Sequence, residues 1–588
     1  MGFAVDNSRD SETENRSAAC DLGHNGLGRP TGSRVADVII DYLSLIGVRH
    51  IFGVGGANIE DLYDAAFFND DLTAVLAKHE FSAATMADGY SRSGIGLGVV
   101  AATSGGASLN LVPGLGESLA SRVPVLALVG QPPCTMDGRG SFQDTSGRNG
   151  ALDAEVLFSA VSLHCERILE PADIATALPR AVAAARSGGP AVLLLPKDVQ
   201  QSVVDLAARD IPAADTVLAA DDPGDIAAEL QKATGHVTII AGEQVSRDDA
   251  REELERLRAA LDARLATVPD AKDAVASSRS SAVIGVTGVM GHPGVASALT
   301  KGSMCLLIGT RLPATARSGL DAALSLVSTL TVGSAPPFVP CTHIHSHDLR
   351  ATLAELTTAL ERQDPTSRWS SDSPPEELQP PKHRGPGVRY RDAMAILDDA
   401  LPDGADVVVD AGNSGAAAVH QLPVRPAGRF VIALGMGGMG YSFGAGIGLA
   451  FARGRRTVVI AGDGAFFMHG MEIHTAVEYG LPITFVLFNN NAHAMCVTRE
   501  QLFYDDRYSY NRFRPSRIGA GLAAMFPDLP SRDVESLDAL PEALRQALSV
   551  DGPSVVSIEC SADEIPPFAP FLDNIATKES QPDVAASA

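Results

Sequence analysis

The stretch Thr457-Val458-Val459-Ile460-Ala461-Gly462-Asp463-Gly464-Ala465 is a run of apolar residues that breaks at glycine, acid, glycine. A second such run, Ile483 to Phe488, breaks at Asn489-Asn490-Asn491. Continuous apolar runs of this length fit strands buried on both faces, as in a parallel sheet covered by helices. Polar groups just past the carboxyl ends of such strands stand where open α/β sheets bind ligands. Asp463, Asn490 and a nearby backbone carbonyl are hard oxygen ligands. They leave octahedral positions for phosphate oxygens and water, which suits Mg²⁺ holding a diphosphate. Gly464 and Ala465 open the next helix, whose N–H groups can face a phosphate. Each residue alone is common in a turn; the joint pattern is the signal.

The same alternation extends outward. Val407 to Val409 reads as a strand ending at Asp410-Ala411-Gly412-Asn413, and Val555 to Ile558 as a late one. Near the amino end, Ile51 to Gly56, Leu97 to Ala102, Val123 to Val129 and Ala191 to Leu195 read as strands with helices between them, the first preceded by a helix over Val35 to Ile46. A middle unit has strands at Val237 to Ala241, Cys305 to Gly309 and His343 to His345, and a helix over Asp248 to Ala263. The pattern predicts three α/β units with doubly wound parallel sheets. Boundaries fall at 32–206, 207–364 and 388–588, with a proline-rich linker at 365–387 and a disordered tail at 1–31.

The chain has 588 residues and a formal net charge of −25. So acidic a protein repels nucleic acid and anionic membranes, and neither is an expected partner. A phosphate ligand must then be held by backbone N–H groups and a metal ion. No apolar run fits a membrane span. The seven cysteines are scattered without a C-x-x-C pair, which suits free thiols in a reducing cytoplasm. The first 30 residues lack the features of a signal or transit peptide. Met1-Gly2 opens like a myristoylation site, but Asp6 stands where serine or threonine is wanted.

Two further stretches carry chemistry. Glu80 lies in His79-Glu80-Phe81-Ser82-Ala83-Ala84, among small and apolar neighbours rather than on a solvated helix face. Gly435-Met436-Gly437-Gly438-Met439-Gly440 matches the dinucleotide fingerprint G-x-G-x-x-G. Taken alone it suggests an NAD-dependent dehydrogenase, but the pattern by itself is a weak signal.

Gly462 to Phe466, then Glu472, then Asn489-Asn490, resembles the diphosphate-binding motif of the thiamine-diphosphate enzymes. More narrowly, residues 34 to about 575 resemble the acetolactate synthase, pyruvate oxidase and benzaldehyde lyase group. His79-Glu80 through Gly89-Tyr90 and Arg92 is similar to that group's aminopyrimidine-activating segment. The resemblance implies thiamine diphosphate and Mg²⁺, with Asp463, Asn490 and the carbonyl of Ala492 as metal ligands. It implies that Glu80 bonds N1′ of the aminopyrimidine, so that the 4′-nitrogen removes the thiazolium C2 proton. Gly437 would offer its carbonyl to the 4′-amino group, and Met439 would be the wedge that bends the cofactor. Asn413-Ser414 takes the place of a diphosphate-contacting pair. Gly464, Ala465 and Met495 complete the cofactor set. Phe142-Gln143-Asp144-Thr145 resembles a segment whose glutamine faces the reacting centre, which makes Gln143 a catalytic candidate. Arg499 stands where acetohydroxyacid synthases carry an acceptor-selecting tryptophan and is the third candidate, suited to an anionic group; the chain's one tryptophan, Trp369, is in the linker.

Ser162-Leu163 replaces the family's usual Thr-Lys pair, and the middle unit departs from the usual turns at Gly242-Glu243-Gln244 and Gly309-Thr310-Arg311-Leu312. These departures put FAD in doubt. The resemblance implies decarboxylation of a 2-keto acid, pyruvate first, with addition to a second carbonyl. Benzaldehyde-lyase-like cleavage and simple decarboxylation are the alternatives, together with a silent scaffold, against which intact Glu80, Asp463 and Asn490 count. The partners expected are small keto acids or aldehydes and further copies of the chain, as a homodimer or homotetramer.

Overall fold

The computed structural model describes residues 33–214, 219–275, 282–360 and 374–580. The expected tail at 1–31, most of the linker's first half and Trp369 lie outside them. Three six-stranded sheets dominate, and every strand pair within them is parallel. The first holds β1 (His50–Val54), β2 (Thr73–Leu76), β3 (Gly98–Ala102), β4 (Val125–Gln131), β5 (His164–Arg167) and β6 (Pro190–Pro196), in the order β2-β1-β3-β4-β6-β5. The middle sheet holds β7 (Val237–Ala241), β8 (Arg264–Thr267), β9 (Val283–Val286), β10 (Met304–Ile308), β11 (Ser328–Gly333) and β12 (Thr342–His345), in the order β9-β8-β7-β10-β11-β12. The third holds β13 (Asp406–Val409), β14 (Phe430–Ile432), β15 (Thr457–Gly462), β16 (Ile483–Asn489), β17 (Ser531–Val534) and β18 (Ser554–Glu559), in the order β14-β13-β15-β16-β18-β17. The first and third sheets therefore share one topology and the middle sheet has another. A two-residue antiparallel pair, Ser33–Arg34 with Val203–Val204, closes the first unit.

Strands β4 and β16 are buried along their whole length, as their apolar sequences require. The helix expected over Asp248 to Ala263 is shorter, Arg251–Ala260, and a separate helix, Glu243–Arg247, precedes it. Asp249, at φ 52°, breaks the run by entering the left-handed region.

The first and third units are joined by two helices, α1 (Glu80–Arg92) and α2 (Tyr441–Arg453), which cross closely. Glycine makes this approach possible. A Cβ at Gly89 would meet the backbone of Ala445, one at Gly444 would meet Thr85 and Ser82, and one at Gly448 would meet Met86. Every residue of α1 is buried. Its charges are met internally: Asp88 accepts from Arg92 Nε at 2.6 Å, from Ser118 Oγ at 2.7 Å and from the Tyr441 hydroxyl. The middle unit docks on the third through buried Lys272, whose Nζ donates to the carbonyls of Ala418, Val419 and Leu422 at 3.1, 2.6 and 2.6 Å. Those carbonyls end the helix Asn413–Gln421, where a cation is favoured.

Candidate functional site

Strands β15 and β16 are register neighbours, so Asp463 and Asn490 emerge side by side at their carboxyl ends. Asp463 is the first residue of the helix Asp463–His469 and is fully buried. Its Oδ2 accepts from the N–H of Ala492 at 3.1 Å, while its Oδ1 is buried with no partner. Asn490 donates through Nδ2 to the Tyr390 hydroxyl at 3.3 Å, and its Oδ1 is likewise buried and unpartnered. Two lone acceptor oxygens at adjacent strand ends are costly unless something binds them. Burial pushes the Asp463 carboxyl up to about 7, against the pull of nearby N–H groups, Ala492's first. Such a carboxyl gains by meeting a cation. The donor set of one carboxylate, one amide oxygen and backbone oxygen fits Mg²⁺, and it leaves charge for phosphates to balance. Among the described residues no cluster of three His, Cys, Asp or Glu side chains forms a metal site. An ion at Asp463 would thus depend on oxygen ligands brought by its anion.

The loop 490–493 is pinned by its own bonds. Asn491 adopts φ 53°, and its side-chain Oδ1 accepts from the Ser516 N–H at 2.8 Å. Ala492 is bridged to Arg512, and His493 donates its N–H to the Asn511 carbonyl at 2.8 Å. His493 and Met439 close over Gly464, where a Cβ would strike the imidazole and press on Met439 Cε at 3.2 Å. Met439 and the helix start at Gly464-Ala465 are therefore brought together. Asn413 and Ser414 open a neighbouring helix, both buried. Asn413 donates to the Glu564 carbonyl at 3.3 Å and leaves its Oδ1 unpartnered. Burial raises the Glu564 carboxyl to about 7.

On the first unit, Glu80 opens α1 behind His79, whose ring accepts from the Phe81 N–H. The Glu80 carboxylate is nine-tenths buried and accepts from Asn110 Nδ2 at 2.9 Å. Gln143, at φ 59°, lies across Gly105, and its Oε1 faces Thr103 and Ser104 hydroxyls at 3.5 and 3.4 Å. Ser104 in turn accepts from Asn58 at 2.7 Å. These polar groups line the carboxyl ends of β1 and β3.

The glycine loop bears on both units. Gly437 is exposed in the left-handed region at φ 67°. The loop's N–H groups are not free for a phosphate. Gly435, Met436 and Gly437 donate to the Glu117 carboxylate at 3.1, 2.6 and 3.3 Å. A dinucleotide diphosphate would meet a carboxylate there, so the fingerprint does not operate as one.

Within the chain, the Phe81 ring packs at a tilt against His469, centroids 4.4 Å apart, and lies beside Gly438. Among the described residues no hydrogen bond or ion pair joins Glu80 to Asp463 or Asn490. Glu472 does not face them either. It is buried and accepts the Lys78 N–H at 3.0 Å, strapping the third unit to the segment before Glu80. Arg499 lies exposed on the helix Ala494–Tyr504 and forms no ion pair among the described residues; Met495 is half-buried on the same helix. Asn110, Glu117, Tyr390, Glu564 and His493 were not singled out from the sequence. Glu117 alone had a signal, as the single acid in an otherwise small and apolar helix, Val112–Ala120.

Comparison with known proteins gives one answer along the chain. The thiamine pyrophosphate enzyme N-terminal TPP binding domain matches residues 33–150, the central domain residues 225–329 and the C-terminal TPP binding domain residues 410–558. The "Probable acetolactate synthase large subunit" of Methanocaldococcus jannaschii is 28% identical, over 91% of this chain and 93% of that one. Acetolactate synthase isozyme 2 large subunit of Escherichia coli is 26% identical, over 91% and 97%. The crystal structure of benzoylformate decarboxylase from Polynucleobacter necessarius superposes with a TM-score of 0.76 at 20% identity, covering 91% of this chain and all of that one.

Proposed function

Since this chain belongs to the thiamine-diphosphate-dependent enzymes, of the carboligase and decarboxylase kind, we propose that it decarboxylates a 2-keto acid, pyruvate first, and joins the remaining acyl unit to a second carbonyl. The observation that carries the reading is the pair of lone buried oxygens on Asp463 and Asn490, at adjacent strand ends beside the N–H groups of Gly464 and Ala465. When bound, the cofactor supplies the carbanion that attacks the keto carbon and holds its electrons as carbon dioxide leaves.

The chain's own groups do the rest. Asp463, Asn490 and the Ala492 carbonyl would hold Mg²⁺, which anchors the diphosphate. Asn413 and Ser414 would donate to that diphosphate. Glu80 would share a proton with the pyrimidine N1′, in a buried setting that keeps the proton from water. Gly437 and Met439 would shape the pyrimidine's seat. Gln143 and Arg499 would face the substrates. Glu80 is bonded to Asn110 and not to the Asp463 group within one chain, which supports a site completed by a second copy. We accordingly propose a homodimer or homotetramer acting in the cytoplasm, and the six described cysteines are free thiols, in keeping with that compartment.

We propose that the middle unit carries no flavin. Gln244, just past the end of β7, reaches across to the residues that follow β11 and β12. Its side chain donates to the Ser346 carbonyl at 2.9 Å and accepts from the Ser334 N–H at 2.8 Å. The purified protein should be colourless, and a stoichiometric flavin absorbance would contradict this.

The test of function is incubation with thiamine diphosphate, Mg²⁺ and pyruvate, with and without a panel of aldehydes and keto acids, and product identification by mass. Acetolactate or a mixed hydroxyketone is the expected product. Cleavage of a hydroxyketone without turnover of any keto acid would favour the lyase alternative instead.

A further inference from the structure

The glycine loop 435–440 poses a physical problem. Met436 is 66% exposed, and the loop crosses the front of the third unit with little packing of its own. Gly437 and Gly440 both sit in the left-handed region, at φ 67° and 86°. Two glycines so placed make a hinge-like segment that costs much backbone entropy to fix. Something must hold it.

Glu117 does. It is 2% exposed, in the helix Val112–Ala120 of the first unit. Oε1 accepts from the Gly435 N–H at 3.1 Å, and Oε2 from Met436 and Gly437 at 2.6 and 3.3 Å. Ser121 Oγ donates to Oε1 at 2.6 Å, and the Arg92 guanidinium stands 3.6 Å away as counter-ion. Arg92 is itself held by Asp88. Gly114 allows the helix to seat against α1, since a Cβ there would press on Ala84. The loop also closes directly on this helix, for a Cβ at Gly435 would meet Ala120, Glu117 and Ser121.

We propose that Glu117 is a positioning residue for the cofactor. Its carboxylate fixes the three N–H groups of Gly435 to Gly437 and so aims the Gly437 carbonyl and the Met439 side chain at the aminopyrimidine. The proposal rests on the cofactor-binding part of the reading above and not on the identity of the keto acid. Charge matters here. A neutral amide offers one acceptor oxygen and points an NH₂ group at the remaining N–H donors, so the loop loses its clamp while the helix keeps its shape.

The experiment is calorimetric titration of the full-length protein, wild type and Glu117→Gln, with two probes in the presence of Mg²⁺: thiamine diphosphate and inorganic diphosphate. Charge-assisted hydrogen bonds of this kind support a loss of about ten- to hundred-fold in affinity for thiamine diphosphate. Inorganic diphosphate, which would meet the Mg²⁺ ligands, Asn413-Ser414 and the helix start at Gly464 but not the 435–440 loop, should bind within about two-fold of wild type. Glu117→Asp, which keeps the charge beside Arg92, should recover part of the loss. Unchanged affinity for thiamine diphosphate, or an equal loss for both probes, would overturn the proposal. If Glu117→Gln does not fold, hydrogen exchange on the wild type decides. The Met436 and Gly437 amides should be protected despite their exposed positions, and fast exchange there would overturn it. Failure to turn over any keto acid would leave these binding results standing, so the two readings fail separately.

Discussion

The middle and third units present the same kind of crevice, past the carboxyl ends of parallel strands, and use it in opposite ways. In the middle unit the polar side chain past β7, Gln244, has both ends of its amide bonded to protein groups. In the third unit the crevice is polar and unsatisfied: Asp463 Oδ1, Asn490 Oδ1 and Asn413 Oδ1 are buried without partners. The difference teaches that a switch-point crevice marks only where a ligand can bind. Unpaired acceptors gathered at adjacent strand ends, as on Asp463 and Asn490, favour a ligand there, because each costs free energy until it is met.

The first unit sharpens the contrast. It repeats the third unit's strand order but offers a carboxylate at a helix start, not an oxygen pair. If the two outer units divide the work between proton transfer and anchoring, Glu80→Gln should remove turnover and leave anchoring intact. We expect a loss of about 10²–10⁴-fold in kcat, slow exchange of the cofactor C2 proton, and Mg²⁺-diphosphate binding close to wild type. Turnover near the wild-type rate would break the division.

The middle unit should contribute stability and not chemistry. Lys272→Met would strand the three helix-end carbonyls and should cost about 2–4 kcal/mol in denaturant unfolding. Burial pushes the Lys272 ammonium down to about 7 from its ordinary 10.5, with Asp398 opposing. Between those values the unfolded chain holds a proton that the folded chain has released, so this group makes stability rise with pH across that window. The variant's stability should show a flatter pH dependence from about 7 to 10, and an unchanged slope would refute the shift. Gln244→Ala is the smallest effect. It leaves the Ser334 N–H and Ser346 carbonyl unpaired, for about 1–3 kcal/mol, with no change in thiamine diphosphate affinity. A weaker cofactor in that variant would show that the two crevices communicate.

Sequence reading found the central strands because burial on both faces writes itself as an apolar run. It missed β2, β5, β8, β9, β11, β14 and β17. Several of these are edge or half-exposed strands with mixed sequences, such as His164-Cys165-Glu166-Arg167 and Ser531-Arg532-Asp533-Val534. Asp463, Asn490 and Glu80 were legible because each polar residue interrupts or borders an apolar pattern. Tyr390 was not, and the lone acid Glu117 gave no hint of its role, since their partners lie 100 residues away in sequence for the one and hundreds for the other. Long-range hydrogen bonds leave no local trace. Arg499 was legible only through the family resemblance; its side chain is exposed and forms no ion pair among the described residues.

The central claim is that Asp463 and Asn490 hold a magnesium diphosphate. Titration of thiamine diphosphate into wild type and Asp463→Ala, each with and without Mg²⁺, tests it most directly. Wild type should bind tightly only with Mg²⁺, Asp463→Ala should show no tight binding under either condition, and Asn490→Ala should fall between them. Affinity of Asp463→Ala within a few-fold of wild type, or binding by wild type that ignores Mg²⁺, would contradict the account.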